Sequence, residues 1–366
     1  MRKALTGLIA VGLALAMAAC GSAGTASVRD GSGLKANMGA LVGLAMPTKQ
    51  QTRWIADGTN MSQQFHDMGY KTVVQFANDD AKKQIAQIQS MISAGAKLLV
   101  IAPVDGSSLN QVLATATRKH IPVLAYDRLI VGTPNVSGYT TFDNVRVGEQ
   151  QGQLLARRLG LPDAKGPFTI ELVAGAPTDN NSKIFFKGAM SVLKPYIDSG
   201  KLVVRSGQTS FAKASTANWD GVVAAKRMRL LLNEYYGATR LAAVLSPNDG
   251  IATEIIKEFL KAGYGTRAKP MPLISGQDAE LNSVKAIIAG RQAGTVYKDT
   301  RELAKVAVQM GNALVTGAKP ITNDVTSYNN GVKIVPTYLL PPVSVDKSNY
   351  ESVLVGGGYY SQADLS

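Results

Sequence analysis

The chain has one cysteine, Cys20, among 366 residues. With no second thiol there is no internal disulfide, no cysteine-based metal site and no cysteine nucleophile other than Cys20 itself. Histidine is nearly as scarce: His66 and His120 both fall on stretches read as helices, away from strand ends. No HExxH pair, Walker loop or serine nucleophile elbow occurs, so the sequence offers little for catalysis. Asp127 and Asp143 are a conceivable glycosidase pair, but each sits beside Arg or Asn, which favours ionised acceptors over a protonated acid. The tryptophans are limited to Trp54 and Trp219. Acidic residues are outnumbered, and the formal charge is +13, two units of it from Arg2 and Lys3. The remaining Lys and Arg are scattered, and no helix-turn-helix, zinc finger or aromatic-studded basic motif accompanies them, which argues against nucleic acid. A solvated basic surface facing an anionic envelope is the simpler reading.

What is present begins with a leader. Arg2 and Lys3 precede an uncharged run from Ala4 to Ala19 that ends in Met17-Ala18-Ala19-Cys20. The run is too short and too rich in small residues for a comfortable membrane span, and it reads as a secretory leader over 1–20. Its end resembles a bacterial lipobox, with Met17 where leucine is usual. That predicts cleavage before Cys20 and a diacylglycerol anchor on its sulfur, which would hold the exported chain to the outer face of the membrane. The stretch 21–37, rich in Gly, Ser, Ala and Thr, reads as a flexible tether.

From Ala40 short apolar runs alternate with amphipathic stretches. Strands are expected at 41–46, 72–76, 98–102, 123–126 and 139–142, then at 168–174, 202–206, 242–246, 273–275 and 295–297. Each is followed by ten to twenty residues of helical character, the spacing of βαβ units. Gly95 closes one such helix, which carries Ile85, Ile88 and Ile92. Two sets of five strands imply an α/β chain of two doubly wound parallel-sheet lobes. No internal repeat is strong enough to relate them.

Ligands of open parallel sheets bind beyond the carboxyl ends of the strands, and there the polar residues gather. Arg53 and Trp54 follow the first strand, Asp127 and Arg128 the fourth, Asp143 and Asn144 the fifth. In the second half Asp179, Asn180 and Asn181, Asn248 and Asp249, Gln277 and Asp278, and Lys298 with Asp299 hold the same positions. Planar Asp, Asn, Gln and Arg groups can each bridge two neighbouring hydroxyls, while a tryptophan can cover the C–H face of a sugar ring. The same residues also read as helix caps and turns, and Asp220 and Asp299 lean that way. Repetition across both halves, with Arg and Lys included, favours one binding edge.

The segments Tyr126-Asp127-Arg128, Thr141-Phe142-Asp143-Asn144, Asp179-Asn180-Asn181, the run 192–201 and Ser275-Gly276-Gln277-Asp278-Ala279-Glu280 resemble those of type I periplasmic sugar-binding proteins, nearest to the xylose-binding and multiple-sugar-binding branch. The likeness spans about Leu41 to Tyr360. It implies a Venus-flytrap fold with three crossovers, near Asn144, Lys298 and Val335, Pro336 stiffening the last. Lobes are then expected at 38–143 with 299–334, and at 144–298 with 335–366. By position the resemblance implies ligand contacts from Arg53, Asp127, Arg128 and Asn144 in one lobe and from Asp179, Asn180, Trp219, Asn248, Asp278 and Lys298 in the other lobe or hinge. The segment Ala217-Asn218-Trp219-Asp220 is similar to the one bearing a stacking tryptophan in glucose/galactose-binding relatives, but Pro47-Thr48-Lys49-Gln50-Gln51 lacks that branch's acid-plus-aromatic pair. The function implied is capture of a monosaccharide (xylose, glucose, galactose or arabinose) by a monomeric, cofactor-free lipoprotein serving an ABC importer. The alternative is a sugar or autoinducer receptor that docks a sensor; a transcription regulator is disfavoured by the leader and the missing headpiece.

Overall fold

The computed structural model describes residues 38–366. The leader, Cys20 and the tether to residue 37 lie outside them. No helix among the described residues is long and apolar enough to cross a membrane.

Strands β1 (Leu41–Met46), β2 (Lys71–Phe76), β3 (Leu98–Ile101), β4 (Val123–Tyr126) and β5 (Gly138–Phe142) join a late strand, β11 (Thr337–Leu340), in one parallel sheet ordered β11-β5-β4-β3-β1-β2. The inner strands are continuous apolar runs, LLVI in β3 and VLAY in β4, because helices cover both faces and neither side of the strand meets water. One face packs Leu44, Met46, Val100 and Tyr126 against Trp54, Met61 and Phe65 of the helix Thr52–Asp67, and against Leu303, Ala307 and Met310 of the helix Thr300–Thr316. The other packs Leu99 and Ile101 against Ile88, Met91 and Ile92 of Ala81–Ser93 and Leu113 of Asn110–Arg118. Each such Val, Leu, Ile, Met or Phe side chain, fully buried, contributes roughly 1.5–3 kcal/mol.

The second sheet has β6 (Phe168–Leu172), β7 (Leu202–Val203), β8 (Ala243–Leu245) and β9 (Leu273–Ile274), parallel in the order β7-β6-β8-β9. Next to β9 lies β10 (Thr295–Tyr297), tied by Ala293 N–H to Ile274 O at 3.0 Å and Val296 N–H to Gly276 O at 3.1 Å. β12 (Val343–Val345) pairs antiparallel with β10. The helices Asn144–Leu159 and Asn180–Asp198 meet backbone to backbone where Gly148 faces Gly188; a Cβ on either would overlap the opposing main chain.

The two sheets end alike, although no repeated motif betrays it. Asp127 follows β4 with φ 57° and gives its N–H to Thr140 O of β5 at 2.8 Å; Asp278 follows β9 with φ 94° and gives its N–H to Val296 O of β10 at 2.8 Å. After β5, Asp143 caps the next helix through Arg146 N–H, and after β10, Asp299 caps through Arg301 N–H. Those helices stop at Gly160 (φ 65°) and Gly317 (φ 72°), in a left-handed turn that glycine adopts without strain.

Three expectations need correction. The chain does not leave the first sheet near Val335: Thr337–Leu340 pairs with β5, and Pro336 O accepts the Tyr139 N–H at 3.0 Å. Departure falls after Leu340, where Pro341 and Pro342 have no N–H to continue the ladder. The strand foreseen at 202–206 ends at Val203, because Ser206 turns its N–H and hydroxyl to the buried Glu171 carboxylate, at 3.2 and 2.6 Å. His120 lies beyond its helix, in a turn with φ 57°.

Candidate functional site

The carboxyl ends of both sheets face one cleft. From the first side Gln51, Arg53 and Trp54 open the helix after β1, and Asp127 and Arg128 follow β4. From the second, Asp179 and Phe185 come with the helix after β6, Trp219 precedes the helix Gly221–Tyr235, Asn248 follows β8, Gln277 and Asp278 follow β9, and Lys298 follows β10.

Arg53 is the hub. Its guanidinium meets Asp57 at 3.1 Å, Asp127 at 2.9 Å and, across the cleft, Asp278 at 3.2 Å. Lys298 lies 2.9 Å from Asp278 and 4.0 Å from Asp127. Arg128 meets Asp179 of the opposite side at 3.0 Å and donates to Pro103 O at 3.2 Å. Trp54 lies beneath both arginines, 4.5 and 5.0 Å from its ring centroid, and its Nε1 donates to Gln51 Oε1 at 3.1 Å. All of these charged side chains are buried, so the cost of taking each charge out of water is offset by its oppositely charged partners.

The main chain of Asp127 is clamped. Its carbonyl accepts from Tyr139 Oη at 2.5 Å, Thr141 Oγ1 at 2.8 Å and, from the opposite side, Asn181 Nδ2 at 2.6 Å. That clamp holds a non-glycine residue at positive φ, a conformation of real cost when unsupported. Burial opposes ionisation of the Asp127 carboxyl, but Arg53, Lys298 and Arg128 outweigh it and hold it below the usual carboxylate range. At Asp179 burial prevails over Arg128 and the carboxyl is raised. Burial likewise lifts Asp57 to about 6 despite Arg53, and the Tyr126 hydroxyl donates to it.

Trp219 forms one wall. It sits in a left-handed turn (φ 57°), packs edge-on to Phe185 and donates from Nε1 to Asp179 Oδ2 at 3.2 Å. The ring lies so close over Gly175 that a Cβ there would overlap it. Gln277 is 2% exposed, and its Oε1 has no hydrogen-bond partner among the described residues. Such an orphaned acceptor in a cleft calls for a donor from a ligand. The space between these groups is about 20 Å³, room for about one water. Anything larger enters by parting the two sides and replacing the ion pairs that bridge them.

The structure thus brings together Arg53, Trp54, Asp127, Arg128, Asp179, Trp219, Asn248, Gln277, Asp278 and Lys298. Four expected residues lie elsewhere. Asp143 caps Arg146 N–H and, with Asn180, lines a separate groove bounded by Leu129 and Tyr328. Asn144 is buried with its amide toward Thr141 Oγ1 at 3.4 Å. Asp249 is buried under the cleft, accepting from Gln292 Nε2, Thr295 Oγ1 and Glu280 N–H, each at 2.9 Å. Sequence reasoning passed over Gln51 and Phe185 in the lining and Asp57 and Tyr126 behind it, whereas Asn181 stands among its strand-end polar residues and holds the Asp127 carbonyl. Asp57 had a signal: it stands four residues after Arg53 on the same helix face.

Residues 42–319 match the periplasmic binding protein domain family. The chain is 53% identical over 324 residues to the multiple sugar-binding periplasmic protein of Azospirillum brasilense, covering 88% of this chain and 90% of that one. It is 34% identical over 326 residues to the D-xylose-binding periplasmic protein of Escherichia coli, covering 88% and 92%. An ABC transporter solute-binding protein of Clostridium phytofermentans, solved with bound β-D-glucose, superposes with a TM-score of 0.85 at 45% identity, covering 89% of this chain and 100% of that one. With the family matched over most of its length and these relatives covered almost end to end, the chain belongs to the periplasmic binding protein family, among its type I sugar-binding members.

Proposed function

We propose that this chain captures an aldose such as xylose, glucose, galactose or arabinose between its two lobes and delivers it to an ABC importer, held at the membrane by a lipid on Cys20. The observation that carries the reading is the cleft itself: charged Asp, Arg and Lys pairs reaching across from both sides, with the orphaned Gln277 Oε1 and the Trp219 wall between them. Sugar hydroxyls both donate and accept, so they can take over the partners that Arg53 and Asp278, or Arg128 and Asp179, hold for each other. A ring C–H face then lies on an indole. The relatives' names and the glucose of the Clostridium phytofermentans protein support the ligand class. The ligand bridges the lobes, so its preference for the closed arrangement drives closure.

The test is thermal shift and calorimetry with xylose, glucose, galactose, arabinose and ribose. Binding to the folded form alone raises the melting temperature, by about 2.7 kcal/mol of stabilisation at a hundred times Kd. A rise with one or more aldoses, with the sugar recovered unchanged, is expected. No shift with any of them, or turnover of the sugar, refutes the reading.

A further inference from the structure

Beside the central cleft, and outward from it, lies a second cavity of about 330 Å³. The two share Gln51, Trp219 and Asn248, which therefore stand on the boundary between them. The outer cavity is large enough for a small-molecule subsite, whose usual range begins near 300 Å³. Its walls come from both lobes: Gln50 and Thr52 on one side, Thr253 and Asn282 among others on the opposite side.

The boundary has a specific chemistry. Gln51 Oε1 is engaged by the Trp54 indole N–H at 3.1 Å, so its amide nitrogen is turned away from that bond. Asn248 Oδ1 caps Ile251 N–H at 3.0 Å, which leaves its Nδ2 as the free end. That Nδ2 lies beside Gly250, a residue of the outer cavity. Neither amide nitrogen has an acceptor among the described residues. Trp219 Nε1 is already committed to Asp179. The boundary thus offers two amide donors with no acceptor among the described residues. An ether oxygen, which only accepts, can take a proton from either of them.

We propose that the outer cavity is a second subsite, which takes the aglycone or second ring of a neutral glycoside whose first ring sits in the central cleft, with the glycosidic oxygen between Gln51 and Asn248. The charged lining residues of this outer cavity, Asp220, Glu254 and Glu280, are all acidic. Lys257 reaches Glu254 from the outside of its helix. A carboxylate on the second ring would meet unfavourable charge there, whereas hydroxyls would find Asn218, Asn282, Gln50 and Thr253.

The inference rests on the monosaccharide reading, and the experiment separates the two. Calorimetry on the wild-type chain compares D-glucose and D-xylose with their methyl and phenyl α- and β-glycosides, maltose, cellobiose and xylobiose. At least one neutral glycoside is expected to bind within about tenfold of its parent sugar. Asn282→Trp, which fills the outer cavity and leaves the central cleft untouched, should weaken that glycoside by tenfold or more and the parent sugar by less than twofold. If the parent sugars bind and every glycoside fails at a hundred times their Kd, the subsite is wrong and the monosaccharide reading stands. If Asn282→Trp weakens glycoside and parent equally, or neither, the second ring lies elsewhere and the subsite is again refuted. Binding of a glycoside but of no free aldose would uphold the subsite and sink the monosaccharide reading.

Discussion

Replacing Arg53 by methionine keeps an apolar stem of similar length over Trp54 and removes the charge that three carboxylates share. Asp57, Asp127 and Asp278 lie 3.1, 2.9 and 3.2 Å from that guanidinium. In its absence Lys298 is the nearest cation to Asp278 and Asp127, at 2.9 and 4.0 Å, and Asp57 keeps the Tyr126 hydroxyl. Removing one partner of a buried ion pair costs about 3–5 kcal/mol. Asp57, already lifted to about 6 by burial, relieves part of this by taking up a proton near neutrality. With an unfolding entropy of roughly 0.7 kcal/mol/K for a chain of this size, the melting temperature should fall by about 4–7 °C. Sugar affinity should fall by at least about 2 kcal/mol, ~30-fold. The acid response follows from Asp127. Burial opposes its ionisation, yet Arg53, Lys298 and Arg128 hold it lowered. A carboxylate lowered in the folded state contributes stability above its unfolded pKa and loses it as pH falls through the folded value. Without Arg53, burial prevails and the folded value rises, so the acid limb of stability and of binding moves to higher pH. Scanning fluorimetry and calorimetry between about pH 4 and pH 8 read both effects. A variant with wild-type melting temperature, affinity and acid limb would refute the hub role.

Arg128→Ala strips Asp179 of its cation and Pro103 O of a donor, and affinity should weaken by roughly 2–4 kcal/mol; an unchanged Kd in a folded variant places Arg128 outside the ligand's reach. Trp219→Ala removes the wall over Gly175 and should cost roughly 1–3 kcal/mol of binding while circular dichroism stays native. If the chain instead unfolds and its folded fraction binds normally, Trp219 serves the core. Cys20→Ser should move the protein from the membrane fraction to the soluble one with sugar binding intact; retention in the membrane fraction would rule out a lipid on that sulfur.

The two lobes were legible because strands such as Leu98–Ile101 are buried on both faces and must be apolar throughout. The edge strand Thr337–Leu340 was not. It is partly exposed, lies between Pro336 and Pro341, and pairs with β5 from far upstream, a contact with no local signal. Its misplacement moved the third crossover with it. At the site, the strand-end position was readable but the direction of each side chain was not, since direction depends on backbone angles set by distant partners. Asp127 turns inward because Tyr139, Thr141 and Asn181 pin its carbonyl at positive φ.

In the sequence, capping and binding are rival readings of these residues, and Asp179 shows that one carboxylate can do both. Its Oδ1 accepts from Asn181 N–H at the helix start, while its Oδ2 takes the Trp219 indole and faces Arg128. Asn248 repeats the arrangement, with Oδ1 on Ile251 N–H and its amide nitrogen left to the cavity. Asp143 has the capping half alone, since its neighbours open on a different groove. A helix cap fixes one atom of a short planar side chain and thereby aims the other. A binding edge built from caps is therefore rigid before any ligand arrives, which lowers the ordering cost of recognition. The same rigidity explains why a sequence that displays every cap does not display which of them face the ligand.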